Sequence, residues 1–243
     1  DGIGSLGLTD EFLRKLGAAG VETRCFSPVR IARFDKRLNY RNHRKLVVVD
    51  GKVGFLGGAN IGDEYLGQDP KLGYWRDTQV RLSGDAVYFL QRTFLEDWMF
   101  AGGEPLAEPR YYPEHGCSGR EWVQIVNGGP DMEWHPVLEL FFAVVAAARK
   151  RIYVVTPYFI LDPGLRMALK MAAIGGVDVR VIIPGIPDTK VVYWASLSYV
   201  EELLRAGVRF YQYECGFIHS KIVIVDDKLA TGGTANLDMR SFY

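Results

Sequence analysis

Apolar and polar residues along this chain alternate between two periods. Apolar residues recurring at three- and four-residue spacing predict helices over 9–19, 84–100, 134–150, 163–174 and 189–206. Short runs rich in β-branched residues predict strands over 21–26, 45–49, 53–56, 122–126, 152–156, 178–183, 208–213 and 221–225. Strands alternating with helices in this way point to the α/β class, with helices covering a mixed sheet. Two of the strand runs, Leu46 to Val49 and Ile222 to Val225, are closed by the turn formers Asp50-Gly51 and Asp226-Asp227. After the first turn, Val53 to Leu56 resumes an extended run, so strand, tight turn and strand are expected.

The same neighbourhoods carry a repeated motif. His43, Lys45, Asp50 and Gly57-Gly58-Ala59-Asn60 return as His219, Lys221, Asp226 and Gly233-Thr234-Ala235-Asn236, offset by 219 − 43 = 176 residues without a gap. At average residue usage, a given His has roughly a 1 in 300 chance of Lys at +2 and Asp at +7. Two such hits with matching Gly and Asn positions are therefore not accidental. The repeat extends upstream, where Ala19-Gly20-Val21 and Ala206-Gly207-Val208 each follow an amphipathic stretch. The chain reads as two copies of one unit, over 1–105 and 120–243, joined by the Gly- and Pro-rich residues 102–119.

This inventory suits displacement at a phosphodiester. On an extended chain residues i and i+2 share a face, so His43 projects with Lys45 and His219 with Lys221. A pseudo-twofold pairing of the units would bring two imidazoles and two ammonium groups to one point. One imidazole can attack phosphorus while the other, protonated, serves the leaving alkoxide, since the His pKa allows both near neutrality. The lysines and the amides of Asn60 and Asn236 supply charge and donors for the equatorial oxygens, and the glycines let backbone approach a ligand closely. Fixed cations fill the place of a metal, so no cofactor is expected. Asp50 and Asp226 belong to the catalytic motif, but turn formation or pairing within their own unit suits them better than direct chemistry.

These residues resemble those of the phospholipase D superfamily, whose HKD motif is H-x-K-x4-D followed by a Gly-rich stretch and Asn. Gly57 to Tyr65, Tyr74-Trp75-Arg76-Asp77, Thr156-Pro157-Tyr158-Phe159 and Gly233 to Phe242 are similar to bacterial cardiolipin synthases. The resemblance implies two pseudo-symmetric α-β-α sandwich units with their motif strands facing. It also implies transfer of a phosphatidyl group between two phosphatidylglycerol molecules through a phosphohistidine, with release of glycerol. His43 would be the nucleophile and His219 the acid and base, although the symmetry of the motifs leaves that order open. Members place a carboxylate downstream of the first motif to orient its His through Nδ1, and Asp77 matches that position. Its counterpart is expected beyond Phe242, and the chain starts at Asp1 and stops at Tyr243, so it reads as a fragment. A hydrolytic phospholipase D, a phosphatidylserine synthase or a nuclease of the same fold would use the same histidines.

Composition narrows these choices. The 29 basic and 29 acidic residues balance, which argues against a nucleic-acid-binding face. Arg30, Arg33, Lys36, Arg37, Arg41, Arg44 and Lys45 nevertheless cluster before the first motif, and would attract an anionic membrane surface. Cys25, Cys117 and Cys215 form no metal-binding spacing and are expected as thiols, and His115 and His135 are not ligands. No stretch reaches the ~20 apolar residues of a membrane span. The resemblance implies a bacterial cytoplasmic membrane enzyme whose membrane helices precede the catalytic region. Tyr74, Trp75, Tyr158, Phe159, Tyr193 and Trp194 would fill cores or line an acyl channel, with Tyr158 able to reach the site mouth.

Overall fold

The computed structural model describes Ser5 and residues 7–26, 42–116, 119–129 and 132–243. Arg30, Arg33, Lys36, Arg37, Arg41 and Cys117, singled out above, lie outside the described residues. Along the chain run α1 (Asp10–Ala18), β1 (Leu46–Val49), β2 (Val53–Gly57), β3 (Trp75–Arg76), β4 (Gln79–Ser83) and α2 (Ala86–Phe100). These are followed by α3 (Pro136–Ala147), β5 (Arg151–Val155), β6 (Phe159–Ile160), α4 (Pro163–Ile174), β7 (Asp178–Pro184) and α5 (Lys190–Arg205). The chain closes with β8 (Arg209–Tyr213), β9 (Phe217–Ile218), β10 (Ile222–Val225), β11 (Leu229–Gly232), β12 (Leu237–Asp238) and α6 (Met239–Phe242). The five longer helices fall where periodicity places them. The runs 21–26 and 122–126 are not strands, because neither finds a hydrogen-bonded neighbour among the described sheets.

The chain divides into two compact units: residues 1–43, 48–54 and 82–125, and residues 44–47, 55–81 and 126–243. β1, β2 and β4 form a three-stranded sheet in that order. In the first unit α2 buries Val87, Leu90 and Leu95, and Tyr88 donates its hydroxyl to the Pro113 carbonyl at 2.6 Å.

In the second unit the sheet order is β11-β10-β5-β7-β8, with β5, β7 and β8 parallel and β10 antiparallel to both neighbours. Alternate residues Ile152 and Val154, Val179, Val181 and Ile183, and Val223 and Val225 bury one face. Phe141, Val144 and Val145 of α3, Leu165 and Leu169 of α4 and Leu203 of α5 join them in one core. Removing each such side chain from water contributes about 1.5–3 kcal/mol. Helix α4 starts where Asp162 accepts the amides of Gly164 and Leu165 at 2.7 and 3.3 Å, with Pro163 in the first turn.

Candidate active site

Two short parallel ladders set the site. β3 pairs with β9 so that Trp75 lies opposite Phe217 and Arg76 opposite Ile218. The next residues along each chain are then Asp77 and His219, and the His219 amide donates to the Arg76 carbonyl at 2.7 Å. β6 pairs with β12, Phe159 opposite Leu237, so that Tyr158 and Asn236 stand just before paired residues. The second motif therefore sits at strand ends: His219, Ser220 and Lys221 form the extended link between β9 and β10.

His219 is only 6% exposed. Its Nδ1 lies 2.9 Å from Oδ2 of Asp77. Burial pushes the Asp77 carboxyl upward, but the His219 hydrogen bond, the Thr78 amide and the charges of His219 and Lys221 outweigh it and hold it below the usual range. An ionised carboxylate only accepts, so Nδ1 carries the proton and donates, and the Nε2 lone pair is left for chemistry. Oδ2 also accepts Nε1–H of Trp75 at 3.3 Å, and Oδ1 accepts the Thr78 amide at 2.7 Å. Burial lowers the His219 pKa, with Lys221 and Lys45 adding to the fall and Asp77 opposing it, so the imidazole rests neutral. The carboxylate anticipated for the first motif's histidine thus engages the second motif's instead, because the β3–β9 register aligns Asp77 with His219.

Both motif lysines belong to this unit. Burial brings Lys221 down to about 7 and Lys45 to about 8, in each case against the pull of Asp77. Lys221 is pinned by donating to the His219 carbonyl at 2.5 Å. The Lys45 charge depresses that of Lys221, and both lysines depress that of His219, so the three groups share one electrostatic neighbourhood. Asn236 is 4% exposed, donates Nδ2–H to Asp238 at 3.2 Å, and has a buried Oδ1 without a partner. Asn60 is exposed and donates its amide to the Tyr65 hydroxyl.

Aromatic rings enclose the imidazole. Trp75, Phe217, Tyr65 and Tyr158 have centroids 5.0, 5.9, 6.2 and 6.5 Å from that of His219. Phe159, by contrast, is a fully buried core residue, and Tyr74 and Trp194 are exposed. Tyr65, Phe217, Thr78, Ser220 and Asp188 join the site without a role that the sequence predicts. Only Tyr65 had a signal, as the last residue of the Gly57-to-Tyr65 stretch. Thr78 donates its hydroxyl to Ser220 at 3.0 Å, tying the β3–β4 link to the motif.

The remaining motif residues have other tasks. Asp226 and Asp227 adopt φ of 54° and 57°, and Asp50 and Gly51 adopt 53° and 65°, so both hairpins turn through the left-handed corner of a type I′ turn. The Asp226 carboxylate accepts the amides of Arg149, Lys150 and Arg151 at 2.8, 2.7 and 2.9 Å. It lies about 16 Å of extended chain beyond Lys221. These three hydrogen bonds end α3 and start β5, which is a structural rather than a catalytic task. Asp50 occupies the matching corner and is exposed, and with His43, also exposed, it falls in the first unit. Gly58 has its own reason: a Cβ there would run into the Asp77 carboxylate. The close approach that glycine permits is thus to the chain's own positioning group.

Comparison with known proteins gives this geometry a lineage. A family profile described as "Cardiolipin synthase, PLD-like domain" matches residues 142–243. The chain is 51% identical over 245 residues to cardiolipin synthase 2 of Bacillus anthracis, covering all of this chain and 48% of that protein. It is 46% identical over 244 residues to the major cardiolipin synthase of Bacillus subtilis strain 168, covering all of this chain and 51% of that protein. It therefore spans about half the length of the curated relatives it matches. Among solved structures, phosphatidylserine synthase of Haemophilus influenzae Rd KW20 superposes with a TM-score of 0.54 at 16% identity, over 82% of this chain and 55% of that one, a likeness of fold. Residues 142–243 thus belong to the PLD-like domain family of cardiolipin synthases, and the chain is similar throughout its length to the bacterial cardiolipin synthases.

Proposed function

We propose that the protein bearing this chain transfers a phosphatidyl group from one phosphatidylglycerol to another, giving cardiolipin and glycerol. The observation that carries the reading is the buried, neutral His219 imidazole, with Nδ1 committed to Asp77 and two lysines of lowered pKa nearby. An Nε2 lone pair beside two buried lysines suits a phosphodiester, whose negative oxygens the ammonium groups of Lys45 and Lys221 stabilise as charge develops. Asn236 adds an amide. The repeat supports units over 1–105 and 120–243, each providing one histidine.

In the first step the nucleophilic Nε2 forms a P–N bond and the P–O bond to glycerol breaks, with the other histidine supplying the proton. In the second the primary hydroxyl of another headgroup forms the new P–O bond, the P–N bond breaks and the proton returns. We assign the nucleophile to His43 and the acid–base role to His219, whose pKa rises when an anionic substrate neutralises the lysines. The substrate places the work at an anionic bacterial membrane, and among the described residues no helix is long and apolar enough to cross one. Nucleic acid is not a partner in this reading.

The test is mass spectrometry of the lipids after the intact natural protein meets phosphatidylglycerol vesicles. Cardiolipin with an equal amount of glycerol is expected. Phosphatidic acid alone would replace the reading with a hydrolytic phospholipase D.

A further inference from the structure

The transfer reading leaves unexplained how the site selects its acceptor alcohol. Four observations converge on one place. Tyr158 follows β5, and its ring stands edge-on to the His219 imidazole, 6.5 Å between centroids and 77° between planes. Its hydroxyl donates to Oδ2 of Asp188 at 2.5 Å. Asp188 is exposed at the entry to α5, where Oδ1 accepts the Thr189 amide at 2.6 Å. The Asp188 charge also acts on Lys221 and on Tyr65, a second ring at the imidazole, so the carboxylate that Tyr158 holds lies within electrostatic reach of the site.

A carboxylate accepts about four hydrogen bonds, and two are filled. The reacting phosphate has its own cations in Lys45 and Lys221, so an anion set beyond Tyr158 has no use for phosphorus. It is suited to hydroxyl donors on the far side of the phosphoester. We propose that Asp188, held by Tyr158, is the acceptor-specificity station of the site, receiving the hydroxyls of a glycerol headgroup next to His219. The proposal rests on the transfer reading above.

Chemistry favours a neutral polyol there. Glycerol leaving in the first step and the glycerol headgroup entering in the second occupy one place, because each step is the reverse of the other in form. The reacting hydroxyl gives its proton to a histidine Nε2 as its oxygen joins phosphorus, and the remaining hydroxyl of the headgroup donates to Asp188. An acceptor such as serine brings a carboxylate that Asp188 repels. Water makes no use of the station.

The test compares Asp188→Asn, Asp188→Ala and Tyr158→Phe with wild type in the intact protein, on phosphatidylglycerol vesicles, reading the ratio of cardiolipin to phosphatidic acid. Loss of a hydrogen bond to a charged group lowers transfer relative to hydrolysis by roughly tenfold or more. Asp188→Ala is expected to show the full drop, with Asp188→Asn and Tyr158→Phe falling between it and wild type. Added serine should be taken up as acceptor more readily by Asp188→Asn than by wild type. An unchanged ratio, or all products falling together as a misplaced α5 would cause, overturns the station. Wild-type protein that makes phosphatidic acid and no cardiolipin fails the transfer reading, and the station falls with it.

Discussion

Asp77 and His219, separated by 142 residues in sequence, meet at 2.9 Å through Oδ2 and Nδ1. The contact settles the tautomer of a buried imidazole, and it gives the most direct handle on the site. Asp77→Asn removes the charge that favours Nδ1–H and the imidazolium, and is expected to lower turnover by on the order of 10²–10⁴. Vesicle binding should stay, and a rate within a few-fold of wild type would show that the pair does not position the reacting histidine.

Gly58 tests the same contact from the other side. Its missing Cβ leaves room for the Asp77 carboxylate. Gly58→Ala should displace Asp77 and reproduce most of the Asp77→Asn loss in rate, with a lowered Tm because buried hydrogen bonds of Asp77 are broken. Full activity in this variant would mean that the carboxylate has slack to move.

The lysines predict a pH dependence of anion binding. Lys221 at about 7 and Lys45 at about 8 lose their protons in the empty site as pH rises, whereas a bound anion needs them charged. Affinity is therefore highest below about pH 7 and falls through 7–9, by up to about tenfold per pH unit for each lysine. Sulfate, whose own charge is constant over this range, measured by calorimetry at pH 6.5, 7.5 and 8.5, checks the slope. A flat profile would refute it.

Asp226→Ala should lower Tm without abolishing the chemistry of an intact site, since its carboxylate holds the Arg149, Lys150 and Arg151 amides. Those hydrogen bonds hold its pKa below the ordinary 3.8. A depressed folded pKa gives stability that is present above the unfolded value and lost as pH falls through the folded one. The gap in Tm between wild type and variant should thus be largest near neutrality and shrink below pH 4, as calorimetric scans at several pH values would reveal.

Leu169 of α4 is fully buried in the core it shares with α3 and the sheet. Leu169→Ala is expected to cost about 2–5 kcal/mol, seen as a lower denaturant midpoint with an unchanged slope. A cost below 1 kcal/mol would mean that the core is less tightly packed than its burial implies.

The repeat, the chemistry of its residues, the α/β class and the positions of five helices are legible in the order of amino acids. These are properties of spacing and local preference: Pro163 and Asp162 start α4 wherever it packs, and His-x-Lys keeps its inventory in any fold. Register is different. Which carboxylate serves which histidine was decided by Arg76 lying opposite Ile218, a pairing of distant segments that no local pattern encodes. The same holds for the runs at 21–26 and 122–126, whose composition suits a strand but which gain no partner to satisfy their amides. Tertiary structure alone drew Asp226 onto three main-chain amides, and it set Asp188 beside Tyr158 from a loop that reads in sequence only as the start of a helix. Hydrogen bonds between segments far apart in the chain exist only once the sheet has closed, and that is why the site's arrangement was legible only in three dimensions.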